Sequence, residues 1–189
     1  MTDDTVSRTG VRSDDVVLIR ALDQADRDAM YEAVSESVSE VSRWLPWCHP
    51  GYSRDEAAAY IESAREGRLA GARFSFGIFE LRDGCFAGAV SINHIIPMNR
   101  LANCGYWVRT SRAGRGIATR AVRLAASYAF ETLGLTRLEI AAIPENLASR
   151  RVAEKAGARF EVIARNRIVM HGHAYPAAVY SLIPEDLRS

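Results

Sequence analysis

Arg112-Ala113-Gly114-Arg115-Gly116-Ile117-Ala118 is the stretch on which the reading of this chain turns. It follows a run from Leu101 to Arg109 that reads as a strand. It opens a run from Gly116 to Leu133 in which Ala118, Ala121, Val122, Ala125, Ala129 and Leu133 fall on one helical face. The two glycines admit backbone conformations that other residues resist. The first N–H groups of a helix have no partner inside it, and the macrodipole adds partial positive charge there. A pyrophosphate suits such a place, and Arg112 and Arg115 add charge to it. A plain basic turn feeding a helix would have the same residues, and spacing alone does not separate the two. Two known phosphate loops are excluded. There is no GxxxxGK[ST] sequence, and Thr119 stands where the third glycine of a dinucleotide fingerprint belongs.

Outward from this stretch, the periods of the chain give its elements. Val16 to Leu22 reads as a strand and Asp23 to Val38 as a helix. Ser53-Arg54-Asp55-Glu56 has the form of a capping box, opening a second helix that stops at Gly67. Phe74, Phe76 and Ile78 alternate with Ser75 and Gly77 at strand spacing. Asp83-Gly84 supplies a turn, and Phe86 to Ile96 returns as a partner strand. After the long helix, Arg137 to Ile143 reads as a strand and Leu147 to Ala156 as a helix stopped by Gly157. Two strands near 159–169 and 174–182 close the chain, with His171-Gly172-His173 as a turn. The expected fold is α/β (α+β), a single mixed, mostly antiparallel central sheet flanked by helices. The strands at 101–109 and 137–143 should run parallel, joined by the long helix.

Residues 1–15 carry Asp3, Asp4, Asp14 and Asp15 and read as a loose tail, leaving 16–189 as one domain. The tail has no apolar core, so it does not read as a secretory signal. The chain has 189 residues, 48% hydrophobic and 25% charged, an ordinary globular balance. A net charge of +1 gives no global pull toward nucleic acid or an anionic membrane, and no apolar run is long enough to span a bilayer. Cys48, Cys85 and Cys104 form neither a disulfide framework nor a metal pattern, and the four histidines do not complete one. A cytoplasmic, reducing compartment is expected.

Gly105-Tyr106-Trp107-Val108-Arg109 followed by Arg112 to Ala118 resembles the acetyl-CoA-binding motif of the GNAT acetyltransferases, Gln/Arg-x-x-Gly-x-Gly/Ala. Ile143-Pro144-Glu145-Asn146-Leu147-Ala148-Ser149-Arg150-Arg151 onward to Ala158 resembles the second half of that signature. Trp44-Leu45-Pro46-Trp47 and Gly105-Tyr106-Trp107 are similar to the RimJ/RimL branch, named for N-terminal acetylation of ribosomal proteins. The resemblance covers residues 16 to 187. It implies acetyl-CoA as co-substrate, no metal, and a protein N-terminus or small amine as acceptor; homodimers are frequent in the branch.

The resemblance also implies a set of roles. The strand ending at Arg109 should splay from its parallel neighbour, with the pantetheine arm on the backbone of Trp107 and Val108 and with Tyr106 and Arg109 also assigned to the coenzyme. An amide near Val108 would polarise the thioester carbonyl. The pyrophosphate would sit on the amides of 114–118 (Gly114, Arg115, Gly116, Ile117 and Ala118), and Arg112, Ala113 and Thr119 are also assigned to the coenzyme. Asn146 is either the N-cap of the following helix or a contact to the coenzyme arm as well. Ser149 is the best-placed hydroxyl to donate to the departing thiolate, with Tyr175 and Tyr180 as other candidates. Arg150 and Arg151 oppose the macrodipole in a first helical turn, which a coenzyme phosphate beside one of them would offset.

Trp44, Trp47 and Asn103 are assigned to the acceptor side, where the aromatics are also candidates for plain core. Many relatives carry glutamate before the Gly-Tyr pair, and this chain reads Ala102-Asn103-Cys104-Gly105-Tyr106. Asn103 cannot take a proton, which leaves His94 or a glutamate elsewhere to serve through water. An α-amine is roughly a tenth neutral at pH 7 and a lysine about one part in two thousand, so a site without a strong base suits the α-amine. The expected reaction is direct transfer to the N-terminal α-amine of a protein or peptide. The alternatives are a small-molecule amine acetyltransferase, a non-catalytic acetyl-CoA sensor, and a nucleotide-binding module.

Overall fold

The computed structural model of the chain describes residues 11–188. Eight strands form one sheet: β1 (Arg12–Ser13), β2 (Val17–Arg20), β3 (Phe74–Glu80), β4 (Phe86–Ile96), β5 (Leu101–Val108), β6 (Arg137–Ala142), β7 (Arg159–Met170) and β8 (His173–Leu182). Their spatial order is β1-β2-β3-β4-β5-β6-β8-β7. Every neighbouring pair is antiparallel except β5 and β6, the parallel pair expected from the intervening helix. The helices are α1 (Arg27–Val41), α2 (Arg54–Leu69), α3 (Ile117–Glu131) and α4 (Leu147–Ala156).

Local chemistry explains the boundaries. Glu56 N–H donates to Ser53 Oγ at 3.2 Å and Ser53 N–H to Glu56 Oε2 at 2.9 Å, so the capping box forms and starts α2. The helix then runs through Gly67, where the sequence places its end, and stops before Gly71, whose φ of +66° a helix cannot continue. The first helix begins later than Asp23 because Asp23 caps a short 3-10 turn over Gln24–Asp26. Residues 1–10 of the expected tail lie outside the described residues. The rest of that expectation is corrected: Arg12–Ser13 pairs with Leu18–Ile19, and Asp14 accepts from the N–H groups of Val16 and Val17. Asp14 and Asp15 both hold Arg120 of α3.

Two cores flank the sheet. On one face α3 lies close because Ala121, Ala125, Ala126 and Ala129 are fully buried and carry almost no side chain. There it covers Val17, Ile19, Phe76, Ile78, Val90, Ile92 and Leu138. On the other face α1 and α2 enclose Met30, Val34, Ile61, Phe79, Phe86 and Trp107. Each such side chain contributes about 1.5–3 kcal/mol of burial. The sheet is thereby a rigid floor, and what matters for function is where it opens.

Candidate functional site

The opening lies between β5 and β6. These strands pair only from Leu101–Arg137 to Asn103–Glu139. Beyond that, β5 stays on β4 as far as Val108, while Ile140 to Ala142 of β6 keeps its pairing with β8. A groove of about 780 Å³ fills the gap, lined by Gly105, Tyr106, Trp107 and Val108 on one side and Ile140 to Ile143 on the other. Backbone groups of the diverging strands are left for a ligand to pair with. The expected splay is therefore present.

A glycine that the sequence reading did not single out shapes β5. Gly88 of β4 has φ +146°, and a Cβ there would stand 2.2 Å from the Trp107 carbonyl oxygen. Only glycine lets the two strands approach so closely. Ala87, beside it, accepts from Arg109 N–H at 2.8 Å, which fixes the exit of β5.

The turn after β5 is clamped from outside. Arg109 Nε meets Glu36 Oε2 at 2.6 Å, Ser111 N–H donates to Glu36 Oε1 at 2.8 Å, and Thr110 N–H to Ser37 Oγ at 3.0 Å. Arg112 lies against Glu80 and Asp83, at 3.1 Å each. The hydrogen bonds and charge from Arg109 and Ser111 hold the Glu36 carboxyl below its ordinary value against the cost of its burial. This corrects one expectation: the Arg112 side chain is committed to two carboxylates and does not strengthen an anion site, although Arg112 itself borders the groove. Arg109 and Arg115 do not line it, and among the described residues no protein group pairs with Arg115.

Gly114 and Gly116 adopt φ of +77° and +79°, the left-handed conformation anticipated for them. Gly116 is the N-cap of α3. Among the described residues no protein group accepts from the N–H groups of Gly114 to Thr119. Ala113, Gly114, Gly116, Ile117, Ala118 and Thr119 all border the groove. The result is a row of unpaired amides with a helix N-terminus behind them, the elementary anion site.

The opposite wall is α4. Asn146 Oδ1 accepts from Ser149 N–H at 3.0 Å, so Asn146 is the N-cap. It also lines the groove, and among the described residues its Nδ2 has no protein partner, so its two candidate roles are compatible. Ser149 lines the groove too. The Tyr106 hydroxyl lies 3.0 Å from Ser149 Oγ and 2.9 Å from the Ser149 carbonyl oxygen. Burial pushes the Tyr106 phenol above its ordinary range. The two arginines of this turn part company. Arg150 donates to the Tyr180 hydroxyl at 3.0 Å and the Pro144 carbonyl at 3.1 Å, facing away. Arg151 and Lys155 line the groove, and among the described residues neither has a protein partner.

The remaining candidates divide. Trp44 lines the groove together with Glu40, the one acidic residue on its wall among the described residues. Trp47 does not; it is 40% exposed and packs edge-on to Trp107 at 5.6 Å and to Tyr52 at 6.1 Å. Trp107 is itself buried, so only its backbone is open to a ligand. Asn103 lies off the groove, donating to Asn93 Oδ1 at 3.0 Å, and Asn93 donates to Ser91 Oγ at 3.1 Å. Tyr180 is fully buried and donates to Glu154, a core role. Tyr175 does not border the groove, and His94 is exposed. Cys104 is buried and its thiol is pushed up to about 12, which keeps it protonated and unreactive. Among the described residues no group of three His, Cys, Asp or Glu could hold a metal ion, and no helix is long and apolar enough to cross a membrane.

Residues 17–159 match the family model described as the acetyltransferase (GNAT) domain. YdaF of Bacillus subtilis (strain 168), provisionally named a ribosomal N-acetyltransferase, is 30% identical over 171 residues, 90% of this chain and 92% of its own. The Escherichia coli (strain K12) ribosomal-protein-serine acetyltransferase is 24% identical over 128 residues, 68% of this chain and 70% of its own. The solved structure of Mycobacterium smegmatis RimJ in complex with CoA-disulfide superposes with a TM-score of 0.82 at 25% identity, covering 95% of this chain and 88% of that one.

Proposed function

This chain belongs to the GNAT acetyltransferase family, and from that premise we propose that the amine it acetylates is the α-amine of a protein or peptide N-terminus. It is an acetyl-CoA-dependent N-acetyltransferase. In this reading the pantetheine arm lies between β5 and β6, on the backbone of Tyr106, Trp107 and Val108. The pyrophosphate rests on the amides of Gly114 to Thr119, and Asn146 Nδ2 contacts the arm. Arg151, rather than Arg150, stands toward a phosphate. Ser149 donates to the sulfur as it leaves, and the buried, protonated Cys104 takes no covalent part.

The observation that carries the choice of acceptor is the neutral strip of Ser91, Asn93 and Asn103 beside Trp107, joined by amide hydrogen bonds. The Glu139 carboxylate near it is held by Arg137 at 2.9 Å and Arg167 at 3.2 Å. A polyamine or aminoglycoside would meet little free negative charge along this strip, and Glu40 is the one carboxylate on the groove wall among the described residues. A peptide N-terminus, already about a tenth neutral at pH 7, brings amide groups for the asparagines and needs little help losing a proton. Much of the acceleration then comes from holding amine and thioester in line. The names of YdaF and the Escherichia coli relative point the same way. Mass spectrometry of products from a panel of unblocked peptides, spermine and an aminoglycoside tests the proposal. Acetylated peptides with unmodified small amines are expected, and the reverse pattern would replace it with a small-molecule acceptor.

A further inference from the structure

We infer that Tyr106 is a positioning residue for the Ser149 hydroxyl, turning its hydrogen toward the coenzyme sulfur as the acetyl group leaves. The inference rests on the reading of Ser149 given above. Tyr106 sits on β5 and Ser149 in the first turn of α4, so they reach each other across the groove that both line. One phenolic hydrogen faces two acceptors, the Ser149 carbonyl oxygen at 2.9 Å and Ser149 Oγ at 3.0 Å. It can serve only one of them at a time.

The two choices differ in what they do to serine. When Tyr106 donates to the carbonyl, the serine hydrogen is free to point back at the phenol oxygen, and the groove faces an oxygen lone pair. When Tyr106 donates to Oγ, that path is closed and the serine hydrogen turns to the open side, the groove. The carbonyl gives up little in the exchange, because as a residue of the first turn Ser149 also accepts from the helix ladder at Ala153. Negative charge growing on sulfur selects the second arrangement, since a hydrogen bond to a charged group is worth about twice a neutral one.

The chemistry balances without moving a proton out of the protein. The amine nitrogen forms the C–N bond, and the C–S bond breaks with its electron pair left on sulfur. Ser149 O–H donates a hydrogen bond to the thiolate, and Tyr106 O–H donates one to Ser149. The thiolate is then protonated from water, which receives the proton the new amide nitrogen gives up. Burial keeps the phenol protonated throughout, so Tyr106 orients and does not act as an acid.

The test is a double-mutant cycle in the full chain, with Tyr106→Phe, Ser149→Ala and both together. Thiol release is followed with acetyl-CoA and the unblocked peptide turned over fastest. Losing one preorganised hydrogen-bond donor to developing charge costs about 10²–10³-fold, so Ser149→Ala is expected to lower kcat about 100-fold. Tyr106→Phe keeps the ring, and it is expected to lower kcat about tenfold while the calorimetric Kd for acetyl-CoA and the KM for peptide stay put. The double variant is expected to be no slower than Ser149→Ala, because the two act as one unit. Wild-type kcat in Tyr106→Phe beside a slow Ser149→Ala overturns the inference and leaves the Ser149 reading intact. Losses that multiply overturn it as well. Full kcat in Ser149→Ala, with acetyl-CoA still bound, removes the Ser149 reading and the inference with it.

Discussion

Replacing Gly116 by valine separates the anion loop from the rest of the fold. Gly116 has φ +79° and ψ 2°, and a Cβ added there would meet nothing within 4 Å. The substitution is therefore a conformational perturbation, not a steric one. A β-branched residue in this region is a genuine outlier, costing about 1–3 kcal/mol. If the loop keeps its shape, the melting temperature falls by about 2–12 °C, at roughly 2–4 °C per kcal/mol for a chain of this size. If the loop instead relaxes to negative φ, the strain is relieved and the amides of Gly116 to Thr119 turn out of the groove. Losing two hydrogen bonds to a charged group, at about 1.5–3 kcal/mol each, amounts to about 3–6 kcal/mol. That is roughly a 10²–10⁴-fold rise in the acetyl-CoA Kd, which removes binding at ordinary titration concentrations. Calorimetric titration with acetyl-CoA, paired with melting curves of both proteins, reads the two terms separately. A folded Gly116→Val protein that binds acetyl-CoA with the wild-type Kd would refute the assignment of the pyrophosphate to this loop.

Gly88→Ala is the opposite case: its Cβ would stand 2.2 Å from the Trp107 carbonyl oxygen, so β4 and β5 must part, at a cost of about 1–3 kcal/mol or more. A clear fall in melting temperature is expected, and an unchanged melting curve would contradict the close approach described here. Cys104→Ala is expected to keep kcat within about twofold of wild type, since the buried thiol takes no part in direct transfer; loss of turnover with intact acetyl-CoA binding would point to a covalent route. Glu161 is held at about 2, below its ordinary 4.5, by Arg137 first and then by the Ser181 hydroxyl. A depressed folded-state value means that its contribution is present above about pH 4.5 and is lost as the pH falls toward 2. The melting temperature of wild type should therefore fall more steeply over that window than that of Glu161→Gln, and parallel curves would show that the ion pair adds nothing.

Features legible in the sequence are those made by residues close together along the chain. Gly114 and Gly116, the Ser53–Glu56 box, the Asn146 cap and the alanine face of α3 each lie within a few turns, and each appears where its local chemistry puts it. The features that escaped depend on pairing across the sheet. Glu80 and Asp83 reach Arg112 from the β3–β4 hairpin, so its carboxylate partners could not be foreseen from the loop itself. Gly88 matters only once β4 and β5 are side by side, and Tyr106 meets Ser149 only because the fold brings β5 and α4 together at one groove. A two-residue strand such as Arg12–Ser13 has no period to detect, and β2 supplies its reason to form. Arg150 and Arg151 break the same local rule, but only packing against Tyr180 decides which of them turns away.

The central claim is transfer to an α-amine in a site without a strong base, and one comparison tests it most directly. Two peptides of the same sequence, each with one internal lysine, would be offered with acetyl-CoA at pH 7, one with its N-terminus free and the other with it blocked, and thiol release would be followed. The account predicts rapid release with the free N-terminus and none above background with the blocked peptide, although its lysine is available. Equal rates on the two peptides would contradict it and make the lysine side chain the acceptor.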